Sequence, residues 1–159
     1  MNIVLLEPEI PHNTGAIGRT CVITGTSLHL IRPLGFMIDE KSVRRSGLDY
    51  WSELDLHVYD SFDDFREKNP SAKLFMATTK AEKSYADVSY SQNDFIMFGK
   101  ESAGIPESML KENRENCIRI PMLKDKRSLN LSCSAAVILY EALRQNGFEG
   151  LERAGKLKG

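Results

Sequence analysis

The sequence has few residues of the kinds that build metal sites or disulfide frameworks. Its 159 residues include only three cysteines and three histidines. The cysteine count is odd, and the cysteine spacings match no zinc or redox pattern. The histidines lie far from one another and from the cysteines, so we expect no metal. A domain of this length buries roughly two-thirds of its unfolded surface and can fold around an apolar core alone.

Long apolar segments are also missing. The N-terminal stretch MNIVLLEPEIPHN has no basic start and only a short apolar run, unlike a signal peptide. No segment reaches the roughly 18 apolar residues that a membrane span needs. We therefore expect a cytoplasmic protein with no membrane partner. The length predicts a single domain, residues 1–159, with a loose tail over 151–159.

The chain carries no excess of either charge. It has 21 Lys and Arg against 22 Asp and Glu, a net charge of −1. Since nucleic-acid-binding domains are often strongly basic, a site for a polyanion would have to come from local clusters or from a dimer that shares two patches. Such clusters occur at 41–47 and 123–127, where the cations include Arg44, Arg45, Lys124 and Lys126. A run of charge is usually a solvated face, but basic residues near aromatic ones also suit RNA.

Short apolar runs alternate with helix-like segments along the whole chain. The runs are unbroken, which is typical of strands that are covered on both faces of a parallel sheet. The predicted strands are 2–6, 28–31, 56–59, 73–78, 94–99 and 117–120. The predicted helices, with cap or stop residues such as Asn13, Ser61 and Gly147, are 13–26, 61–69, 106–116 and 130–146. This order predicts an α/β protein with a mostly parallel sheet flanked by helices, in which ligands bind beyond the carboxyl ends of the strands.

The stretch FGKESAGIP, at 98–106, partly matches the pattern of a phosphate-binding loop. Gly99 and Gly104 have the required spacing, but a phosphate loop continues with Lys and then Ser or Thr. Ile105 follows instead, and no G-x-G-x-x-G occurs in the chain, so both phosphate fingerprints are absent. Two interpretations remain: a plain turn with a solvated Glu101, or a loop in which Gly99 lets the backbone approach a ligand.

Two further stretches are unusually polar for their positions. RSLNLSCSAA, at 127–136, offers four Ser and Asn side chains where one helix cap needs a single residue. The surplus indicates a bound polar small molecule. In EIPHNTGAIGRT, at 9–20, Arg19 is either a surface residue or a fixed cation beside an anionic oxygen, for which its planar guanidinium is well suited.

Three stretches, NTGAIGR, FGKESAGIP and IRIPM…RSLNLSCSAA, together resemble the three ordered motifs of the SPOUT RNA methyltransferases. The likeness is greatest to the minimal, single-domain group that methylates the ribose 2′-oxygen of the tRNA wobble nucleotide, a cytidine or uridine, and it covers essentially the whole chain. The resemblance implies an S-adenosylmethionine-dependent enzyme and a homodimer that binds the tRNA anticodon stem-loop. It also implies a deep trefoil knot in the C-terminal part, which hydrophobic periodicity cannot reveal.

The resemblance further implies roles for individual residues. Arg19 matches the arginine of the first motif, and we expect it to stabilise negative charge on the 2′-oxygen or to hold the adjacent phosphate. The other catalytic candidates, which could orient the hydroxyl or carry its proton, are Glu101, Asn130 and Ser132. The expected cofactor-binding residues are Ala77, Thr78, Gly99, Gly104, Ile120, Met122, Ser128 and Leu129. The expected RNA-binding residues are Arg44, Arg45, Lys124, Lys126 and Tyr140.

Other functions stay open at this stage. A related SPOUT enzyme could methylate rRNA or another tRNA site, although such relatives commonly carry an extra N-terminal RNA-binding domain. A non-catalytic RNA-binding protein could keep the same fold, although the motif residues Arg19 and Glu101 argue against it. A nucleotide-binding domain unrelated to methylation ranks lower, because both phosphate fingerprints are absent.

Overall fold

The computed structural model describes residues 1–38 and 49–157. Its centre is a parallel sheet in the order β3-β2-β1-β6-β4-β7-β5. The predicted α/β class with a mostly parallel sheet is therefore confirmed. The strands are β1 (Asn2–Leu6), β2 (Ser27–Ile31), β3 (Leu56–Tyr59), β4 (Leu74–Ala77), β5 (Lys83–Ser84), β6 (Phe95–Phe98) and β7 (Cys117–Arg119).

Four α-helices lie within the described ranges. They are α1 (Pro11–Thr24), α2 (Phe62–Lys68), α3 (Glu107–Glu112) and α4 (Leu131–Gln145), and 3-10 turns cover Asp49–Glu53 and Arg114–Asn116. Ser61 caps α2 as predicted, because its hydroxyl accepts a hydrogen bond from the Asp64 amide at 3.1 Å. The helix predicted over 106–116 is wrong in its second half, where the 3-10 turn replaces the α-helix.

The start of α1 also differs from the prediction. Asn13 is not the N-cap, because the helix begins at Pro11 and the cap position is Ile10, which makes no side-chain cap bond. Proline suits the first helical turn, since that turn has no use for the missing N–H. Asn13 therefore lies inside the first turn, where it is buried.

Helices cover both faces of the sheet, which explains the unbroken apolar strands. In β1, Ile3 and Leu5 join one buried cluster, while Val4 and Leu6 join the other. α1 and α4 supply Ile17, Cys21, Ile138, Leu139 and Ala142 to the first cluster. Phe65 of α2 and Leu110 of α3 belong to the second.

The strand order brings the predicted ligand loops to one edge of the sheet. β1, β6, β4 and β7 are consecutive neighbours and all parallel. The segments that leave their carboxyl ends therefore meet: 7–10 after β1, 78–80 after β4, 99–104 after β6 and 120–130 after β7. The knot and the limits of the domain remain predictions; residues 151–157 contain no helix or strand, and Leu151 packs against the core.

Neither a membrane-spanning helix nor a metal-binding cluster occurs in residues 1–38 and 49–157. Within these ranges no helix combines the length and apolarity needed to cross a membrane. Nor do His, Cys, Asp and Glu side chains form a group of three or more that could hold a metal ion.

Candidate active site

A cavity of about 470 Å³ opens where β4, β6 and β7 end. This volume lies within the range of roughly 300–1,000 Å³ that small-molecule sites occupy. The wall includes every residue predicted to bind the cofactor: Ala77, Thr78, Gly99, Gly104, Ile120, Met122, Ser128 and Leu129. Glu101 and Asn130 line it as well. The structure thus brings these predicted residues together, while their individual roles stay predictions.

The loop 99–104 is closed by its own backbone. The Gly104 amide donates to the Lys100 carbonyl at 2.8 Å, and Gly104 has φ = +70°, a conformation that favours glycine. A Cβ at Gly99 would lie 2.0 Å from the Gly104 carbonyl carbon and 2.2 Å from the Ile105 nitrogen. Of the two interpretations that the sequence leaves open, the tight turn accounts for Gly99, because the space beside it is filled by the loop's own backbone.

The Glu101 carboxylate holds the beginning of α1. It accepts hydrogen bonds from the Glu9 amide at 2.8 Å and from the Ile10 amide at 3.2 Å. Backbone N–H groups at a helix start lack partners within the helix and attract negative charge. Glu101 therefore caps the Ile10 amide from a distant loop, as the carboxylate of a capping box does, and also holds Glu9, which precedes the helix.

Two further contacts fasten the same loop to the segment after β1. The Ser102 amide and hydroxyl both donate to the Glu9 carboxylate at 2.8 Å, and these bonds lower the pKa of Glu9. Lys100 pairs with Glu7 at 2.9 Å, which raises the pKa of Lys100. The pocket wall formed by 99–104 is thus fixed to the start of α1 by several bonds.

Asn13 connects Glu101 to the start of α4. Its side-chain nitrogen donates to Glu101 Oε1 at 3.1 Å, and its oxygen accepts from Asn130 Nδ2 at 3.1 Å. Asn130 Oδ1 in turn caps α4 by accepting from the Ser132 and Cys133 amides at 2.9 and 3.3 Å. The Ser132 hydroxyl donates to the same oxygen at 2.6 Å. Three of the four predicted catalytic residues therefore belong to one hydrogen-bonded chain, with Asn13 at its centre.

From the sequence, Asn13 is expected to cap the helix and to help shape the same pocket, but its hydrogen-bond partners cannot be identified there. The two partners of Asn13 lie 88 and 117 residues away in the chain. Asn13 is one of three buried polar residues of α1, with Thr14 and Thr24, so its polarity alone does not mark it as a site residue. Lys80, which lines the pocket and pairs with Glu107 at 3.0 Å, is a second residue that the predictions omit.

The remaining predicted residues lie away from the pocket wall. Arg19 is exposed on α1, six residues beyond Asn13, which is about 9 Å along the helix axis. Lys124 and Lys126 are exposed on the 120–130 segment, and Tyr140 is 43% exposed on α4. Ser132 does not line the pocket but touches it through Asn130. Arg44 and Arg45 lie outside the described residues.

The parallel sheet and the small-molecule pocket at the ends of its strands place the protein in the class of α/β ligand-binding domains, which includes many enzymes. The sequence profile of the SpoU rRNA Methylase family matches residues 1–140, and the chain belongs to this family. The structural neighbours below are SPOUT methyltransferases, in agreement with the motif resemblance.

Relatives match over almost the full chain. A Listeria innocua protein is 54% identical over 153 residues, which cover 94% of this chain and 90% of its own length. A Yersinia pestis protein named tRNA (cytidine(34)-2'-O)-methyltransferase is 47% identical over 156 residues, covering 94% of this chain and 96% of the relative.

Two solved structures extend the comparison to the fold. One, described as giving insights into the 2-OH methylation of C/U34 on tRNA, has a TM-score of 0.85 and 41% identity, and the match covers 92% of this chain and 95% of the other. The SpoU methyltransferase AviRb from Streptomyces viridochromogenes, in complex with AdoMet, has a TM-score of 0.78 and 25% identity, covering 92% of this chain and 57% of that one.

Proposed function

We propose that this protein transfers a methyl group from S-adenosylmethionine to the ribose 2′-oxygen of the wobble nucleotide, position 34, of tRNA. The observation that carries the proposal is the full-length match to the Yersinia pestis enzyme named for this reaction, at 47% identity. The pocket at the strand exits supports it, because its wall includes Asn13 of the first motif and several residues each of the second and third motifs.

The pocket has the chemistry that S-adenosylmethionine requires. The apolar side chains of Ile120 and Leu129 offer surface for an adenine ring, and the loops 99–104 and 120–130 offer backbone groups and hydroxyls for the polar parts of the cofactor. The residues that would hold the cofactor are the eight predicted ones. When bound, the cofactor supplies a methyl group on a positively charged sulfur, which is activated without a metal. The AdoMet complex of AviRb, a relative in fold and family, supports the same assignment.

The protein's own contribution is to orient the ribose hydroxyl. Fixing two reacting groups in line can contribute up to about 7–11 kcal/mol. Asn130 is suited to this task because its side chain is held at both ends, by Asn13 and by the start of α4. Ser132, which donates to Asn130, keeps its own oxygen lone pairs for the hydroxyl or a water that carries the proton.

Glu101 and Arg19 have different tasks. The Glu101 oxygens already accept three hydrogen bonds, from Glu9, Ile10 and Asn13, so we assign Glu101 to holding the site together rather than to carrying the proton. Arg19 cannot act as a base, because guanidinium stays protonated in proteins. We assign it to the developing charge on the 2′-oxygen or to the neighbouring phosphate.

Binding of the anticodon stem-loop is proposed to require a homodimer. A single chain has a net charge of −1, so two copies that align Arg44, Arg45, Lys124 and Lys126 along one groove would create a positive surface that one copy lacks. Exposed apolar side chains on α4, Val137 and Tyr140, are suited to a contact between copies. Light scattering on the purified protein should give twice the chain mass of 17.9 kDa.

The reaction is tested by incubation with radiolabelled S-adenosylmethionine and either tRNA or rRNA. We expect label in tRNA alone, in a single 2′-O-methylnucleoside that maps to position 34. Unmodified and cellular tRNA should be compared, because earlier base modifications could be required. Label in rRNA, or at another tRNA position, would favour the related SPOUT activities, and cofactor binding without any transfer would favour a non-catalytic RNA-binding protein.

A further inference from the structure

Arg19 lies over an aromatic ring of the segment that follows the undescribed residues. Its guanidinium carbon is 5.8 Å from the centre of the Tyr50 ring. A cation at this distance over a ring face is attracted by the electrons of the ring. A guanidinium carries five N–H donors, so those that do not point at the ring can still bind an oxygen anion.

The Tyr50 ring is itself attached to the helix that carries Arg19. Its hydroxyl donates a hydrogen bond to the Gly15 carbonyl, one turn before Arg19 on α1. Desolvation raises the pKa of Tyr50, which keeps the hydroxyl protonated and able to donate. The Tyr50 hydroxyl thus ties the ring to α1, and the ring contacts the guanidinium of Arg19 on the same helix.

Close packing of the 3-10 turn against α1 makes this arrangement possible. Trp51 and Leu54 lie over Gly18, where a Cβ would be 3.2 Å from Trp51 Cζ3 and 3.3 Å from Leu54 Cδ2. Glycine at this position lets the turn Asp49–Glu53 approach the helix backbone. As a result, the Tyr50 hydroxyl can bond to the Gly15 carbonyl while the Tyr50 ring contacts the Arg19 side chain.

We propose that Tyr50 is a positioning residue for Arg19. Its hydroxyl anchors the ring on α1, and the ring restricts the guanidinium so that its N–H groups can bind the ribose or phosphate oxygen. Arginine side chains carry large rotamer entropy, and a restricted guanidinium loses less of it during the reaction. The inference rests on the proposed function, since it assigns Tyr50 to the same methyl transfer.

The test compares Tyr50→Leu and Tyr50→Phe with the wild type in kinetics and in NMR. Tyr50→Leu should lower kcat for tRNA methylation about fivefold, the size expected of an exposed cation–π contact, while the cofactor dissociation constant and the KM for tRNA stay within about twofold. Tyr50→Phe, which keeps the ring, should recover most of kcat. The Arg19 side-chain Hε resonance, assigned with Arg19→Lys, should show an upfield ring-current shift in the wild type that is lost in Tyr50→Leu.

Phe148→Leu is the matched control. It removes a similar contact, in which the Arg153 guanidinium carbon lies 5.9 Å from the centre of the Phe148 ring. Neither residue lines the pocket. This variant should move the Arg153 resonance alone and leave kcat unchanged. An unshifted Arg19 resonance in the wild type, or an active enzyme whose kcat does not respond to Tyr50→Leu, would overturn the inference. Failure of the proposed function would show differently, as a wild-type protein that methylates no tRNA.

Discussion

At the scale of single residues, Glu101 organises the site more than it reacts. Its carboxylate is held by two backbone amides at the start of α1 and by Asn13. The motif resemblance pointed to Glu101 as a catalytic candidate but not to its structural contacts, because the partners Glu9, Ile10 and Asn13 lie about ninety residues earlier in the chain. A contact over this distance depends on the strand order, which no local pattern in the sequence encodes.

The first prediction concerns Glu101→Gln. A glutamine has one acceptor oxygen instead of two, and its NH₂ group would face N–H donors. Because hydrogen bonds to charged groups contribute roughly 1.5–3 kcal/mol each, the free energy of unfolding should fall by about 1–3 kcal/mol in urea titrations. Glu82→Gln is the control, since this exposed carboxylate pairs with Arg114 at the surface and such pairs contribute little. Equal stability of the two variants would refute the capping role.

The second prediction concerns Arg19→Ala. Arg19 is exposed and contributes to neither core cluster, so its removal should leave the unfolding transition nearly unchanged. Calorimetry should also show an unchanged cofactor dissociation constant, because Arg19 does not line the pocket. Methyl transfer to tRNA should be abolished. Full activity in this variant would remove Arg19 from the catalytic residues.

At the scale of elements, the apolar pattern predicted the strands that are buried on both faces and missed the short strand β5, which is not buried. Six strands were predicted because both of their faces are covered, as Ile3 and Val4 on opposite faces of β1 show. β5 was missed because it has only two residues, Lys83 and Ser84, and neither is buried. The start of α1 was misplaced since Asn13 is a typical cap residue, yet here its side chain serves the pocket instead.

The third prediction concerns the loop 99–104 through Gly99→Ala. The added Cβ would meet backbone atoms at 2.0–2.4 Å, which flexible side chains cannot relieve. The loop should therefore rearrange, and calorimetry should show the cofactor dissociation constant increased at least tenfold, since this loop is one wall of the pocket. Gly155→Ala is the control, because nothing lies within 4 Å of its Cβ position. An unchanged dissociation constant in Gly99→Ala would contradict the loop geometry.

At the scale of the whole molecule, stability should depend on a buried histidine that does not line the pocket. His29 in β2 is 4% exposed and accepts from the Tyr59 hydroxyl at Nδ1, over 2.9 Å. Its Nε2 lies 3.2 Å from Asn2 Oδ1, which fits the neutral ring with the proton on Nε2. Burial, aided by the neighbouring His57, lowers the pKa of His29 to about 4.

The fourth prediction is a pH dependence of unfolding. Below the usual histidine pKa of about 6.5, His29 is protonated in the unfolded chain but stays neutral in the folded protein. The free energy of unfolding should therefore fall as the pH decreases from about 6.5 towards about 4. His29→Gln should flatten this slope, measured by urea unfolding at several pH values, whereas the exposed His12→Gln should retain it. Identical slopes in both variants would assign the acid sensitivity elsewhere.

The fold class followed from alternating strand and helix patterns, but the strand order did not. β6 lies between β1 and β4, and β7 lies between β4 and β5. These neighbours are distant in sequence, and their pairing is decided by packing of the complete sheet. The site was predictable only because three motifs mark its loops; the strand order then explains why 99–104 and 120–130 enclose one pocket.

We propose that the loops 78–80, 99–104 and 120–130 together present a methyl donor to one ribose hydroxyl. The most direct measurement uses an anticodon stem-loop RNA with labelled S-adenosylmethionine, compared with the same RNA carrying 2′-deoxyribose at position 34 alone. We predict one labelled methyl group per natural stem-loop and none in the deoxy-substituted RNA. Equal labelling of both RNAs, or labelling of neither by protein that binds the cofactor, would contradict the account.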